Sequence, residues 1–249
     1  MTNVTIRRIQ VPPALDARTT GQLVDSVEQA ISQSGGVIVL AGADGIFCRG
    51  IDFTALLAAE DAGALEIECA RSVEAFVQCV WLIRSCGKPV VAAVDGETLA
   101  GGVGLAAACD LVVATERSTF GLPETLFGLI PAITLPILLE RMTPQKARLV
   151  TMTACSYGAA EAQAMGLVDV VTSAEALEPT VRAHSRSLAR TSPDAVGPLK
   201  RFSGNLAFPE GRAVLQRGGE MTRMLLQREH VGQAIREFMA GGRLPWEAR

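Results

Sequence analysis

Residues 88–114 read KPVVAAVDGETLAGGVGLAAACDLVVA. Pro89–Val94 is a short, wholly apolar run, the pattern of a strand buried on both faces. Gly101, Gly102 and Gly104 open a short helix, and Leu111–Ala114 is a further buried strand. Strand, helical crossover and strand in this order predict parallel neighbours in one sheet.

The same alternation extends upstream. Gly36–Ala41 (GVIVLA) reads as a buried strand, and Val4–Val11 as another. Between them, Gly21–Ser32 places Leu23, Val24, Val27, Ala30 and Ile31 on one helical side. Residues 64–85 repeat the helical spacing through Leu65, Cys69, Val73, Phe76, Val77, Val80 and Ile83. Downstream, residues 136–249 read as helical. Thr143-Pro144 is a capping hydroxyl followed by proline at the first helical position. Ser156 is the expected cap of the next helix, which Gly166 closes. Leu167–Val171 reads as a brief strand or extended link, and breaks are expected near Pro193, Pro198 and Pro209. The expected division is an α/β core over 1–190 and a helical segment over 191–249. Neither repeats nor a low-complexity linker interrupts the chain.

Composition narrows the function classes. The 249 residues are 49% hydrophobic and 20% charged, an ordinary globular balance. A net charge of -3 gives no positive field for a dedicated nucleic-acid binder. From Arg182 onward there are 12 Arg/Lys against 6 Asp/Glu, read as a solvated helical surface rather than a docking face. The uncharged run Thr125–Leu139 is too short for a membrane span and contains Pro131 and Pro136. The opening MTNVTIRRIQVPP lacks the apolar core of a signal peptide. Cys48, Cys69, Cys79, Cys86, Cys109 and Cys155 form no CxxC pair, and only His184 and His230 accompany them, so no metal site is expected. Free thiols suit a reduced, cytoplasmic setting.

Three loops follow the buried strands: Ile46–Phe53, Asp95–Leu105 and Phe120–Pro131. In a parallel sheet such loops gather at one edge, where ligands bind. The helix opening near Gly102 would point its free N–H groups and positive end into that crevice. Gly102-Val-Gly104-Leu-Ala-Ala107 also fits a dinucleotide fingerprint, but Asp95–Ala100 separates it from the strand end. A serine hydrolase is disfavoured because no GxSxG elbow is present.

The FCxGxDF loop (47–53), the quoted 88–114 run and FGLPExxFGLxP (120–131), in this order, resemble the crotonase (enoyl-CoA hydratase/isomerase) superfamily. The likeness is strong over roughly 35–172 and loose beyond. It implies a ββα spiral core with a C-terminal helical trimerisation region, acting on thioesters of coenzyme A or acyl carrier protein without a further cofactor. It also implies an oxyanion hole from the backbone N–H groups of Ile51 and Gly101, and Glu124 as acid/base. Gly50, Gly102 and Pro131 become substrate-binding positions. The first glutamate of the family's hydratases falls at position 104, here Gly104.

Within the superfamily, Glu124–Ala132, Leu135-Pro136, Pro144–Ala147 and the ending Gly242–Glu247 look like the dehydratases of polyketide β-branching cassettes. These convert 3-hydroxy-3-methylglutaryl-acyl carrier protein into the 3-methylglutaconyl thioester and also lack the first glutamate. The resemblance implies dehydration with Glu124 as the single acid/base. Alternatives are an ordinary acyl-CoA hydratase or isomerase, the cassette decarboxylase, or a non-catalytic carrier-binding homologue. The family's opening is shortened here to Val4–Thr20, where Arg18 reads as solvated. Arg49 stands where small residues are more usual and could pair with a free substrate carboxylate, the alternative being an exposed loop arginine. Cys48 and Cys109 read as buried packing residues, Asp52 and Asp110 as loop-fixing acceptors of backbone N–H bonds. Phe238 and Trp246 are expected to pack the C-terminal segment onto the body or a neighbour in a homotrimer or hexamer.

Overall fold

The structure is a computed structural model that describes residues 4–207, 209–244 and 246. Pro245 and Glu247, part of the ending that carries the closer resemblance, lie outside the described residues. The elements run β1 (Ile6–Gln10), α1 (Ala17–Ser32), β2 (Val37–Ala41), β3 (Ile46–Cys48), α2 (Phe53–Asp61), α3 (Leu65–Ser85), β4 (Val90–Val94), β5 (Glu97–Leu99) and α4 (Gly101–Ala108). Next come β6 (Leu111–Thr115), β7 (Thr119–Gly121), a 3-10 turn (Pro123–Phe127), α5 (Thr134–Arg141), α6 (Pro144–Thr153), β8 (Ser156–Gly158), α7 (Ala159–Met165) and β9 (Val170–Thr172). Four helices finish the chain: α8 (Leu177–Leu188), α9 (Pro193–Ala207), α10 (Arg212–Leu226) and α11 (Glu229–Met239).

The strands form two sheets. The larger, in the order β1-β2-β4-β6-β9, is parallel throughout. The smaller, in the order β3-β5-β7-β8, is parallel until β8 joins β7 antiparallel. Successive turns of the chain give one strand to the larger sheet, one to the smaller, and then helix, which is the ββα spiral. β2 and β4 are buried along their whole length, as their unbroken apolar sequence requires. The individual strands of the smaller sheet were not read from the residues, although the resemblance implied a second strand in each turn; they are three residues each, too short to impose a period on the sequence.

Helix starts follow local chemistry. Asp16 caps α1, accepting from Thr19 N at 2.6 Å while Thr19 Oγ1 accepts from Asp16 N at 2.9 Å. Leu23, Val24, Val27 and Ala30 then face the core, where each fully buried Leu or Val contributes roughly 1.5–3 kcal/mol. Thr143 caps α6 as expected. Ser156 does not cap α7: it begins β8, and Gly158 is the cap, its N–H donating to Glu161 at 2.9 Å. Pairing with β7 takes the backbone of Ser156 into the sheet instead. Gly166 closes α7 as expected.

Pro198 does not break the chain; it lies inside α9. A proline there forgoes a single intrahelical N–H, and tertiary bonds hold the helix regardless. Lys200 Nζ donates to Ile83 O at 2.9 Å, Lys88 O at 3.1 Å and Asp110 Oδ2 at 2.7 Å. Asp110 also accepts from Val90 N at 2.8 Å, so one carboxylate joins β4 to α9. α10 crosses α3 through Gly219, where a methyl would sit 3.0 Å from Val73 and 3.1 Å from Val77. α11 closes a second apolar cluster, in which Val231, Ala234 and Ile235 meet Leu56, Phe127 and Leu129. Among the described residues no helix is long and apolar enough to cross a membrane, and no group of His, Cys, Asp or Glu is arranged to hold a metal ion.

Candidate active site

The loop after β3 is stitched to the link between β1 and α1. Arg49 N donates to Pro13 O at 2.8 Å, Leu15 N to Gly50 O at 2.8 Å and Asp52 N to Leu15 O at 2.9 Å. These bonds use the backbone on both sides of Ile51 and leave its own N–H without a backbone acceptor among the described residues. Asp52 caps α2 through Ala55 N at 3.1 Å, the loop-fixing role expected of it.

Gly101 opens α4, so its N–H also lacks an intrahelical acceptor. It is presented by Ala100, whose φ of 50° and ψ of -119° form a conformation that an L-residue adopts only under strain. Ala100 N donates to Gly121 O at 2.9 Å, which fixes the strained unit against β7. The two free donors are neighbours: a methyl on Gly50 would lie 2.9 Å from the Gly101 nitrogen. Gly50 itself has φ +78°. Gly102 is packed against the same loop, and a methyl there would be 2.1 Å from Cys48 O. Gly50 and Gly102 thus bring the β3 loop and α4 together from behind the site.

Ile51, Gly101, Arg49, Glu124 and Pro131 line one cavity of about 590 Å³. Most of its wall is apolar. Phe53, Phe127 and Phe238 stack edge to face along one side, with ring centroids 5.1 Å apart in both pairs. Phe238 therefore packs α11 onto the body, as expected. Trp246 is half-exposed, near Gly128 at the end of the 3-10 turn.

Glu124 stands in that turn, after Pro123. Its Oε2 is buried without a hydrogen-bond partner. Burial pushes the carboxyl up to about 7, offset in part by its own backbone N–H. A carboxyl near neutrality at a cavity wall is suited to taking and returning a proton. No second carboxylate is available from α4: Gly104 is buried, and a methyl on it would meet Thr134 Oγ1 at 2.6 Å.

Arg49 pairs with Glu97 at the cavity edge, and both side chains are partly exposed. Arg18 reaches Gln22 at 3.4 Å on the surface. Cys48 and Cys109 are buried, and desolvation raises both thiols, Cys48 to about 12, which leaves them packing groups. Sequence reasoning missed Ala100, Phe53, Phe127 and Thr134. Nothing in the sequence marks the strain at Ala100. The two phenylalanines did lie within the quoted loops.

A scan of protein families matches the enoyl-CoA hydratase/isomerase family over residues 1–249. Bacillaene synthase dehydratase PksH of Bacillus subtilis (strain 168) is 28% identical over 245 residues, covering 98% of this chain and 92% of PksH. YngF of the same organism, which carries the name enoyl-CoA hydratase/isomerase, is 31% identical over 247 residues, covering 95% of this chain and 92% of YngF. Among solved structures, pksH from Bacillus subtilis, a polyketide-biosynthesis enoyl-CoA hydratase by name, superposes with a TM-score of 0.87 at 22% identity, covering 98% and 97% of the two chains.

Proposed function

Since the chain belongs to the enoyl-CoA hydratase/isomerase family, the crotonases, we infer that it is a dehydratase of a 3-hydroxyacyl thioester. The assigned substrate is 3-hydroxy-3-methylglutaryl-acyl carrier protein, converted to the 3-methylglutaconyl thioester in polyketide β-branching. The observation that carries this reading is the Glu124 carboxyl, whose Oε2 is buried and unpartnered, in one cavity with the free N–H groups of Ile51 and Gly101; Asp52, which also lines the cavity, is engaged in capping α2. Likeness to a dehydratase over nearly the whole chain supports it.

Removing the proton alpha to a thioester is difficult because the charge moves onto the carbonyl oxygen. Two fixed N–H donors in a pocket of mainly apolar wall meet that charge, an effect worth about 3–4 kcal/mol for a single donor. Glu124, starting as the carboxylate, takes the alpha proton. The enolate electrons then form the Cα=Cβ bond as the Cβ–O bond breaks. Glu124 returns the proton to the departing hydroxyl, which leaves as water, and the carboxylate is regenerated. Arg49 has a role for the free carboxylate of the glutaryl group, which would replace Glu97 as its partner. The protein works as a homotrimer or hexamer in this reading.

Intact-protein mass spectrometry of the loaded carrier tests the assignment. The wild type is expected to remove about 18 Da, and Glu124→Gln to lower the rate by about 10²–10⁴-fold. A loss of about 44 Da from the separately offered 3-methylglutaconyl carrier, retained in Glu124→Gln, would instead identify a decarboxylase, which needs the oxyanion donors and little from Glu124.

A further inference from the structure

Thr134 is 3% exposed, lines the cavity, and its hydroxyl makes no hydrogen bond among the described residues. It begins α5, whose first turn packs on α4. Its Oγ1 lies 2.6 Å from where the β-carbon of residue 104 would be, so a hydroxyl of α5 occupies the space that a side chain on α4 would enter. The same point is 3.4 Å from Phe76 Cζ, and Phe76 Cζ is 3.2 Å from the β-carbon position of Gly101. The hydroxyl, the edge of the Phe76 ring and the proposed donor Gly101 are therefore neighbours along one wall.

That wall has a chemical task if the dehydratase reading holds, and the inference rests on that reading. A single carboxylate that both removes the alpha proton and delivers it to the leaving oxygen requires that oxygen to be held within its reach. Apolar neighbours such as Phe76 and Ile133 offer no such hold. A threonine hydroxyl is a neutral donor that keeps its proton at working pH. We propose that Thr134 donates a hydrogen bond to the 3-hydroxyl oxygen of the substrate and positions it as the leaving group. The bond changes beyond this are those already given: Glu124 carries the proton from Cα to the oxygen, and Thr134 neither gains nor loses one.

The test separates recognition of the hydroxyl from turnover. In a Glu124→Gln background, affinities are measured for pantetheine thioesters of 3-hydroxy-3-methylglutarate and of 3-methylglutarate, which lacks the hydroxyl. Thr134→Val should weaken the first by about 3–10-fold and leave the second unchanged, the range expected for one net hydrogen bond. Thr134→Ser should restore the preference, which a purely structural role for the methyl would not do. Equal affinities before and after Thr134→Val, or an equal loss for both ligands, would overturn the assignment. Turnover with Glu124 intact distinguishes the two failures. A wild type that dehydrates the thioester while Thr134→Val keeps its ligand preference removes Thr134 alone; a wild type that does not dehydrate it removes the functional reading and the leaving-group role with it.

Discussion

Glu124 joins two facts that seldom coincide: its Oε2 is buried, and that oxygen has no partner. Its pKa rises from 4.5 in the unfolded chain to about 7 in the fold. Below pH 4.5 both states are protonated and nothing is lost. Between these values the native state binds more protons, so stability falls as pH rises and levels off above about 7. Glu124→Gln abolishes this penalty. It should be more stable than the wild type by on the order of 3 kcal/mol at pH 8, with the difference vanishing near pH 4. Chemical denaturation at the two pH values measures it; a constant difference would mean that the carboxyl is solvated. For turnover the sign is opposite, since the base must be ionised: kcat/KM should rise through an apparent pKa near 7 and then hold. The identity of Glu124 was legible in the sequence from the Leu-Pro-Glu motif. Its environment was not, because the cavity that it faces is assembled from residues as distant in sequence as Phe53 and Phe238.

α10 lies far from the motifs yet bears on the site. A methyl on Gly218 would sit 2.3 Å from the carbonyl oxygen of Ala132, in the segment that carries Pro131 and leads into Thr134. Backbone cannot yield as a side-chain tip does, so Gly218→Ala should cost about 1–3 kcal/mol and raise KM by displacing that wall. Gly21, inside α1 with nothing within 4 Å, is the control. There the same substitution should stabilise by roughly 0.5–1 kcal/mol through helix propensity and unfolded-state entropy. Thermal denaturation of the pair gives the sign of each effect. The strands of the larger sheet were readable because each is a short apolar run flanked by turn residues, as in Gly36–Ala41. The strands of the smaller sheet were not. β5 (Glu97–Leu99) hides between Gly96 and Ala100 with a single fully buried residue, Thr98. The proline rule failed at Pro198 for a related reason: a remote anchor, Lys200, outweighs the local preference.

At the scale of the molecule, α9 presents Leu199, Phe202 and Leu206 at 64%, 68% and 70% exposure, spaced along one side. An apolar stripe of this kind is costly to leave in water. Light scattering should therefore give a mass above that of a single chain, three or six times it on the proposed reading, and Phe202→Asp should lower it if α9 meets a neighbour. Within the chain, the spiral delivers the segments that follow β3, β5 and β7 to one cavity. The two donors assigned to the thioester oxygen belong to Ile51 and Gly101, and neither depends on a side chain for its N–H. Such donors persist through almost any substitution that preserves the turn. Mutational drift can therefore reshape the apolar wall, and with it the range of acyl groups accepted, while the electrophile's anchorage is inherited intact.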